Sequence, residues 1–117
     1  MKQQLEVDIS RLDSADLLAV HGELDMASAL GLAGPLSDIA NDRDGSVVID
    51  LSGLSFMDST GMSVLLNARR RLTRQGRGMF VVCPAGAVLR VFELTSMVET
   101  LRVHSSREAA LAALNGG

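Results

Sequence analysis

Residues 47–61 constrain this chain more than any other stretch. Val47-Val48-Ile49-Asp50-Leu51 is a buried-strand signal, Ser52-Gly53-Leu54-Ser55-Phe56-Met57 follows it, and Asp58-Ser59-Thr60-Gly61 runs straight into an amphipathic helical pattern. A strand thus delivers a hydroxyl pair to a helix N-terminus. The unpaired N–H groups and partial positive charge of such an end can hold a phosphate without large rearrangement, which makes Ser59 a candidate switch.

Strand and helix signals alternate on both sides of that stretch. Leu5, Val7 and Ile9 interleave with Glu6, Asp8 and Ser10, the period-two pattern of a half-buried edge strand. Beyond a polar turn at 11–16, Leu17-Leu18-Ala19-Val20-His21 is a second, more continuously apolar strand, broken by Gly22-Glu23-Leu24-Asp25. Asp25 is an N-cap candidate for a helix that gathers Met26, Ala29, Leu32, Ala33, Leu36 and Ala40 on one face. Gly31, Gly34 and Pro35 weaken that helix and predict a kink near residue 31, because an interior proline loses a hydrogen bond and clashes with the preceding turn.

Asp42-Arg43-Asp44-Gly45 is turn chemistry ahead of strand three at 46–51. The next helix, 61–75, sets Gly61, Val64, Leu65, Ala68 and Leu72 on one side and Ser63, Asn67, Arg70 and Arg74 on the other, with Gly76 as its stop. Met79-Phe80-Val81-Val82-Cys83 is strand four, and Pro84-Ala85-Gly86 turns the chain into a short helix carrying Val88, Leu89, Val91 and Phe92. Residues 100–103 read as a weak fifth strand. Ser105-Ser106-Arg107-Glu108 has the Ser-x-x-Glu spacing of a capping box opening a last helix, and Asn115-Gly116-Gly117 reads as a frayed end.

Strands joined through helices pair in parallel by right-handed crossovers, and the leading hairpin adds an antiparallel member. The expectation is a single α/β domain over residues 1–117, a mixed, mostly parallel sheet of four to five strands packed with about four helices. Function in such sheets collects at the carboxyl ends of the parallel strands, so Asp25 and Ser59, each just past a strand end, are expected on one rim.

Composition narrows the functional classes. A chain of 117 residues buries roughly two-thirds of its unfolded surface and needs no metal or disulfide to fold. No apolar run approaches the roughly 18 residues of a membrane span, and the N-terminal Met1-Lys2-Gln3-Gln4-Leu5 lacks the apolar core of a secretory signal. Cys83, the single cysteine, sits in an apolar run as a packing residue and agrees with a reducing compartment, so cytoplasmic residence is expected. A net charge of −3 provides no general attraction to nucleic acid or anionic membrane, which leaves protein or small-ligand partners.

Catalytic and cofactor signatures are missing. His21 and His104 are far apart and belong to no spaced ligand motif, so no metal site is expected. Ser59 has no Gly-x-Ser-x-Gly elbow and no adjacent base beyond those histidines or distant acids such as Asp25. The glycines fit neither a phosphate loop nor a dinucleotide fingerprint. Arg69, Arg70, Arg71, Arg74 and Arg77 form the one concentrated basic region; they complement the dipole of a helix C-terminus, lack the interleaved aromatics of base-stacking surfaces, and suit docking of an acidic partner better than nucleic acid. Ser59 or Thr60 can act as the helix cap, which leaves the other hydroxyl free at the tip.

Taken in order, Gly22-Glu23-Leu24-Asp25, Val48-Ile49-Asp50-Leu51, Leu54-Ser55-Phe56-Met57-Asp58-Ser59-Thr60-Gly61 and Val88-x-x-Val91-Phe92-Glu93-Leu94-Thr95 resemble the anti-sigma factor antagonist family of the STAS domain superfamily across nearly the whole chain. The resemblance implies a non-enzymatic, cofactor-free binding module. Its unphosphorylated form would bind an anti-sigma factor that is also a serine kinase, releasing the sigma factor, until phosphorylation of Ser59 switches it off and a PP2C-type phosphatase restores it. Asp25, Asp58, Thr60, Gly61, Ser63 and Asn67 fall on the implied partner-binding positions, Ser63 and Asn67 one and two turns along the docking helix. Pro35 and its flanking glycines depart from the pattern, and Thr60 offers a second phosphate acceptor. The competing readings are a non-switching STAS scaffold or accessory subunit of a transport complex, and a small acyl- or phosphoryl-transfer enzyme using Ser59.

Overall fold

The structure, a computed structural model, describes residues 4–116. The expectations of a leader-free start and a frayed end touch residues 1–3 and 117, which lie outside the described residues. The element order is β1 (Leu5–Leu12), β2 (Ala15–Leu24), α1 (Leu30–Asp42), β3 (Ser46–Met57), α2 (Ser59–Arg74), β4 (Met79–Val82), α3 (Ala87–Leu94), β5 (Val103–His104) and α4 (Arg107–Asn115). Five strands form one sheet in the order β1-β2-β3-β4-β5. Only the leading β1–β2 hairpin is antiparallel; the other three pairings are parallel, as the crossover rule requires.

Two apolar layers sandwich the sheet. Leu18, Val20, Val47, Ile49, Leu51 and Val81 point into the larger core, where Leu32, Leu36 and Ile39 of α1, Met62, Leu65 and Leu72 of α2 and Phe92 of α3 cover them. Leu17, Val48, Phe80 and Val82 project the other way and pack on Ala110, Leu111 and Leu114 of α4. Alternate residues of β3 and β4 thus feed opposite cores, which is why both strands read as unbroken apolar runs. β1 is an edge strand with Leu5 and Val7 half-buried and Ile9 exposed. At the amino end of β2, Asp16 is 0% exposed and answered by Arg11 at 3.0 Å and Arg43 at 3.3 Å.

Several local expectations need correction. Strand three does not stop at residue 51: β4 leaves the sheet after pairing Val82 with Asp50, but β3 continues beside β2 through Gly53, Leu54, Phe56 and Met57. Serines and a glycine there resemble a turn because the extension is a partly exposed edge with β2 on one side and no β4 beyond it, and register shifts in the β2–β3 ladder accommodate it. The first helix starts at Leu30, so Asp25 is not its N-cap, and Met26, assigned to the buried face, is 80% exposed. Pro35 then lies in the second turn of a single element running Leu30–Asp42, and residue 31, where a kink was expected, belongs to the first turn.

The fifth strand is Val103–His104, one residue pair beyond a turn that occupies most of 100–103. The last helix is capped by Ser106, whose hydroxyl accepts the Ala109 N–H at 3.1 Å, rather than by Ser105 in a box with Glu108. Both serines have the chemistry, and the backbone puts Ser106 in the extended conformation a cap needs. Gly76 does stop α2: at φ +73° it lets its own N–H reach Thr73 O and that of Arg77 reach Leu72 O, closing the helix end on itself.

Candidate functional site

The extension of β3 beside β2 fixes the site. Leu24 and Met57 are register partners at the two strand ends, and the Asp58 N–H donates to Leu24 O at 3.2 Å. Asp25 and Asp58 therefore leave the sheet side by side, with Ser59 the first residue of α2, so the two expected positions do share one rim.

Asp58 is the helix cap. Its Oδ1 accepts the N–H of Thr60 at 2.9 Å and of Gly61 at 3.2 Å, and its backbone C=O takes that of Met62. Neither Ser59 nor Thr60 caps the helix, contrary to expectation, because the carboxylate one residue upstream accepts from two donors at once and carries charge favourable at a helix start. The vacant phosphate cradle imagined from the sequence is correspondingly filled. Ser59 is exposed at the first helical position, with its hydroxyl outside the cap.

Asp25 is organised by its own turn. Oδ1 accepts the N–H groups of Ala27 at 2.9 Å and Ser28 at 3.1 Å, Oδ2 accepts from the Gln4 side chain, and the Ser28 hydroxyl donates onward to Glu23 O at 2.7 Å. Desolvation pushes this carboxyl up, but the hydrogen bonds from Gln4, Ser28 and Ala27 outweigh it and hold the pKa below 3.8, so Asp25 is anionic at neutral pH.

Along α2, Ser63 and Asn67 are exposed. Ser63 donates its hydroxyl to Ser59 O at 3.1 Å, and Asn67 Oδ1 accepts from Arg70 at 3.4 Å. Gly61 is buried beneath Ser59, where an added Cβ would come within 2.8 Å of both Leu24 Cγ and Met57 Cγ. The glycine lets α2 begin directly on the paired strand ends. The rim also carries large apolar side chains left in solvent: Met26, which the helical period had placed on the buried face, Phe56, and Leu30 at 84% exposure. Leu30 was passed over in the sequence, although it is an apolar residue that stands off the apolar face of the helical period.

The rim sets anionic, hydroxyl and large apolar side chains side by side. Among the described residues no group of His, Cys, Asp and Glu is placed to hold a metal ion, and no helix is long and apolar enough to cross a membrane. Ser59 has no hydrogen-bonded histidine or carboxylate to activate it as a nucleophile among the described residues; Asp58 spends its acceptor on backbone N–H groups.

Comparison with known proteins agrees with this geometry. The STAS domain family model matches residues 6–110. The chain is 26% identical over 114 residues to the anti-sigma-F factor antagonist RsfB of Mycobacterium tuberculosis, an alignment covering 97% of this chain and 92% of that protein. An anti-sigma factor antagonist from Mycobacterium paratuberculosis is similar with a TM-score of 0.89 and 27% identity over 95% of this chain and 94% of that one. SpoIIAA of Bacillus in its unphosphorylated form shares the fold at a TM-score of 0.80 and 19% identity, over 96% of this chain and 98% of that one. With the match running from the first strand into the last helix, this chain belongs to the STAS domain family.

Proposed function

We propose that the protein is an anti-sigma factor antagonist whose binding rim is switched off by phosphorylation of Ser59. The observation that carries this reading is the division of labour between Asp58 and Ser59: the carboxylate caps α2, so the neighbouring hydroxyl is exposed and free to be modified without loss of the cap. Relatives similar over almost the whole chain are named as antagonists of anti-sigma factors, which supports the same partner class here. The partner would be an anti-sigma factor with serine kinase activity, docking over Asp25, Asp58, Thr60, Gly61, Ser63 and Asn67, and a PP2C-type phosphatase would reverse the modification.

Electrostatics makes such a switch efficient. Phosphoserine brings about −1.5 to −2 charge, and two unit charges about 4 Å apart at an effective dielectric near 20 interact by about 4 kcal/mol. Tenfold in affinity corresponds to only about 1.4 kcal/mol. With the Thr60 and Gly61 N–H groups already bonded to Asp58, a phosphate on Ser59 projects outward, where it adds to the charge of Asp25 and Asp58. Repulsion then falls on the partner's acidic side chains and not on the fold.

The test is to incubate the protein with ATP and anti-sigma kinases of its host, then locate any added mass by peptide sequencing. One phosphate, on Ser59 and absent from Ser59→Ala, is expected, together with loss of anti-sigma factor binding. Modification confined to Thr60, or equal partner affinity before and after phosphorylation, overturns the reading.

A further inference from the structure

The basic cluster of α2 is divided by the fold. Arg71 turns onto α1, donating to Ser37 at 3.0 Å and to Asn41, and Arg70 reaches Asn67. Arg69 and Arg77 instead line a cavity of about 300 Å³ together with Thr73, Gly76 and Arg102, a residue far along the chain in the turn before β5. This cavity lies at the amino ends of β4 and β5, the rim opposite Ser59.

We infer that this cavity is a binding site for a small multivalent phosphate-class anion. Three arginines line it and no carboxylate does, in a chain whose net charge is −3. Among the described residues none of Arg69, Arg77 and Arg102 forms an ion pair; the arginines that do are Arg11, Arg43 and Arg107. Glu99, which borders the adjoining groove with Arg102, does not pair with it.

Arg77 supplies a second, independent observation. Its Nε and Nη1 donate to Gly45 O at 2.8 Å, Ile39 O at 3.3 Å and Gln75 Oε1 at 2.7 Å, all neutral acceptors, and its Nη2 is buried with no partner. A part-buried positive charge is therefore fixed beside the cavity without a counter-charge among the described residues; because Nη2 is closed to solvent, an anion in the cavity offsets that charge across space and not through a bond to Nη2. Arg102 lines the cavity as well, its guanidinium held 5.2 Å from the centre of the Phe80 ring, which projects toward the α4 side of the sheet.

The carbonyl end of α2 does not cancel this field. Its Leu72 and Thr73 carbonyls are taken up by Gln75, Gly76 and Arg77, and the residual helix charge is about −0.5 against three full positive charges. Guanidinium forks match tetrahedral oxyanions, and a concavity of about 300 Å³ suits a compact anion better than an extended acidic peptide, which needs a continuous basic surface.

Calorimetric titration of the full chain with sodium pyrophosphate and with sodium phosphate, at ionic strength matched with sodium chloride, tests the site. Saturable one-to-one binding is expected, with pyrophosphate tighter than phosphate, and weakened by about tenfold or more in Arg69→Gln and in Arg102→Gln, while Ser59→Ala binds as wild type does. Thermal melts of each variant separate lost binding from lost folding, and only variants melting like wild type are scored. No saturation up to about 10 mM of either anion, unaltered affinity in both arginine variants, or equal binding of a hexaglutamate peptide would overturn the proposal.

Discussion

Leu24 and Met57 face each other at the ends of two parallel strands, and each holds its Cγ 2.8 Å from where a Cβ on Gly61 would stand. The start of α2 is thus seated on a strand pair with no room for a methyl group. Gly61→Ala forces both side chains to move and should destabilise the fold by about 1–3 kcal/mol despite the better helix propensity of alanine. Urea unfolding checks the sign: an alanine variant as stable as wild type would mean that the two side chains move aside at no cost.

Capping by Asp58 gives a prediction that separates structure from signalling. Asp58→Ala orphans the Thr60 and Gly61 N–H groups and should cost about 1 kcal/mol, whereas Asp58→Asn keeps an acceptor and should recover most of it. Ser59→Ala and Ser59→Asp leave the cap intact, so both should melt close to wild type. A large stability loss in Ser59→Ala, by thermal denaturation, would show that the hydroxyl holds the fold.

Much of this architecture was legible because strands buried on both faces and helices buried on one face write different periods. The apolar runs of β3 and β4, the alternation of β1 and the stripe on α2 each announced its neighbours, and Asp25 and Ser59 fell on one rim because both follow strand ends. What was not legible depended on tertiary partners. β3 continues past Leu51 only because β2 is alongside to pair with it, and a local reading of Ser52-Gly53 does not contain that fact. The choice of Asp58 over two hydroxyls as cap rested on a carboxylate that accepts from two donors, and that of Ser106 over Ser105 on backbone conformation at residues of equal chemistry. The meeting of Arg102 with Arg69 and Arg77 joins segments that no short-range pattern connects.

Cys83 should be inert. Burial, and secondarily the charge of Asp50, push its thiol up to about 11, so at pH 8 only about one molecule in a thousand carries the thiolate that alkylating reagents require. In the native protein, labelling by iodoacetamide at pH 8 should be slower than in urea by about a hundredfold or more. Comparable rates in the two conditions would contradict the buried position.

Asp50 anchors the far side of the sheet and gives a pH signature. Its Oδ1 accepts the N–H of Ser52 at 2.9 Å and its hydroxyl at 2.6 Å, and Oδ2 accepts from Arg107, which ties α4 to β3. Desolvation raises this carboxyl, but the bonds from the Ser52 side chain, Arg107 and the Ser52 backbone prevail, and the folded pKa lies below 3.8. A depressed carboxylate pKa contributes stability that is fully present above the unfolded value and is lost as pH falls through the folded one. Arg107 is half exposed, so Arg107→Gln should cost about 1–2 kcal/mol at pH 7, less than breaking a fully buried pair would. That gap should hold down to about pH 5 and narrow as the pH falls through the folded pKa of Asp50, itself below 3.8, as the carboxylate becomes protonated. Urea titrations of wild type and Arg107→Gln at pH 7, 5 and 3 measure it directly. A difference in stability that stays constant across that range would place the contribution of Arg107 in packing of its aliphatic stem, not in its bond to Asp50.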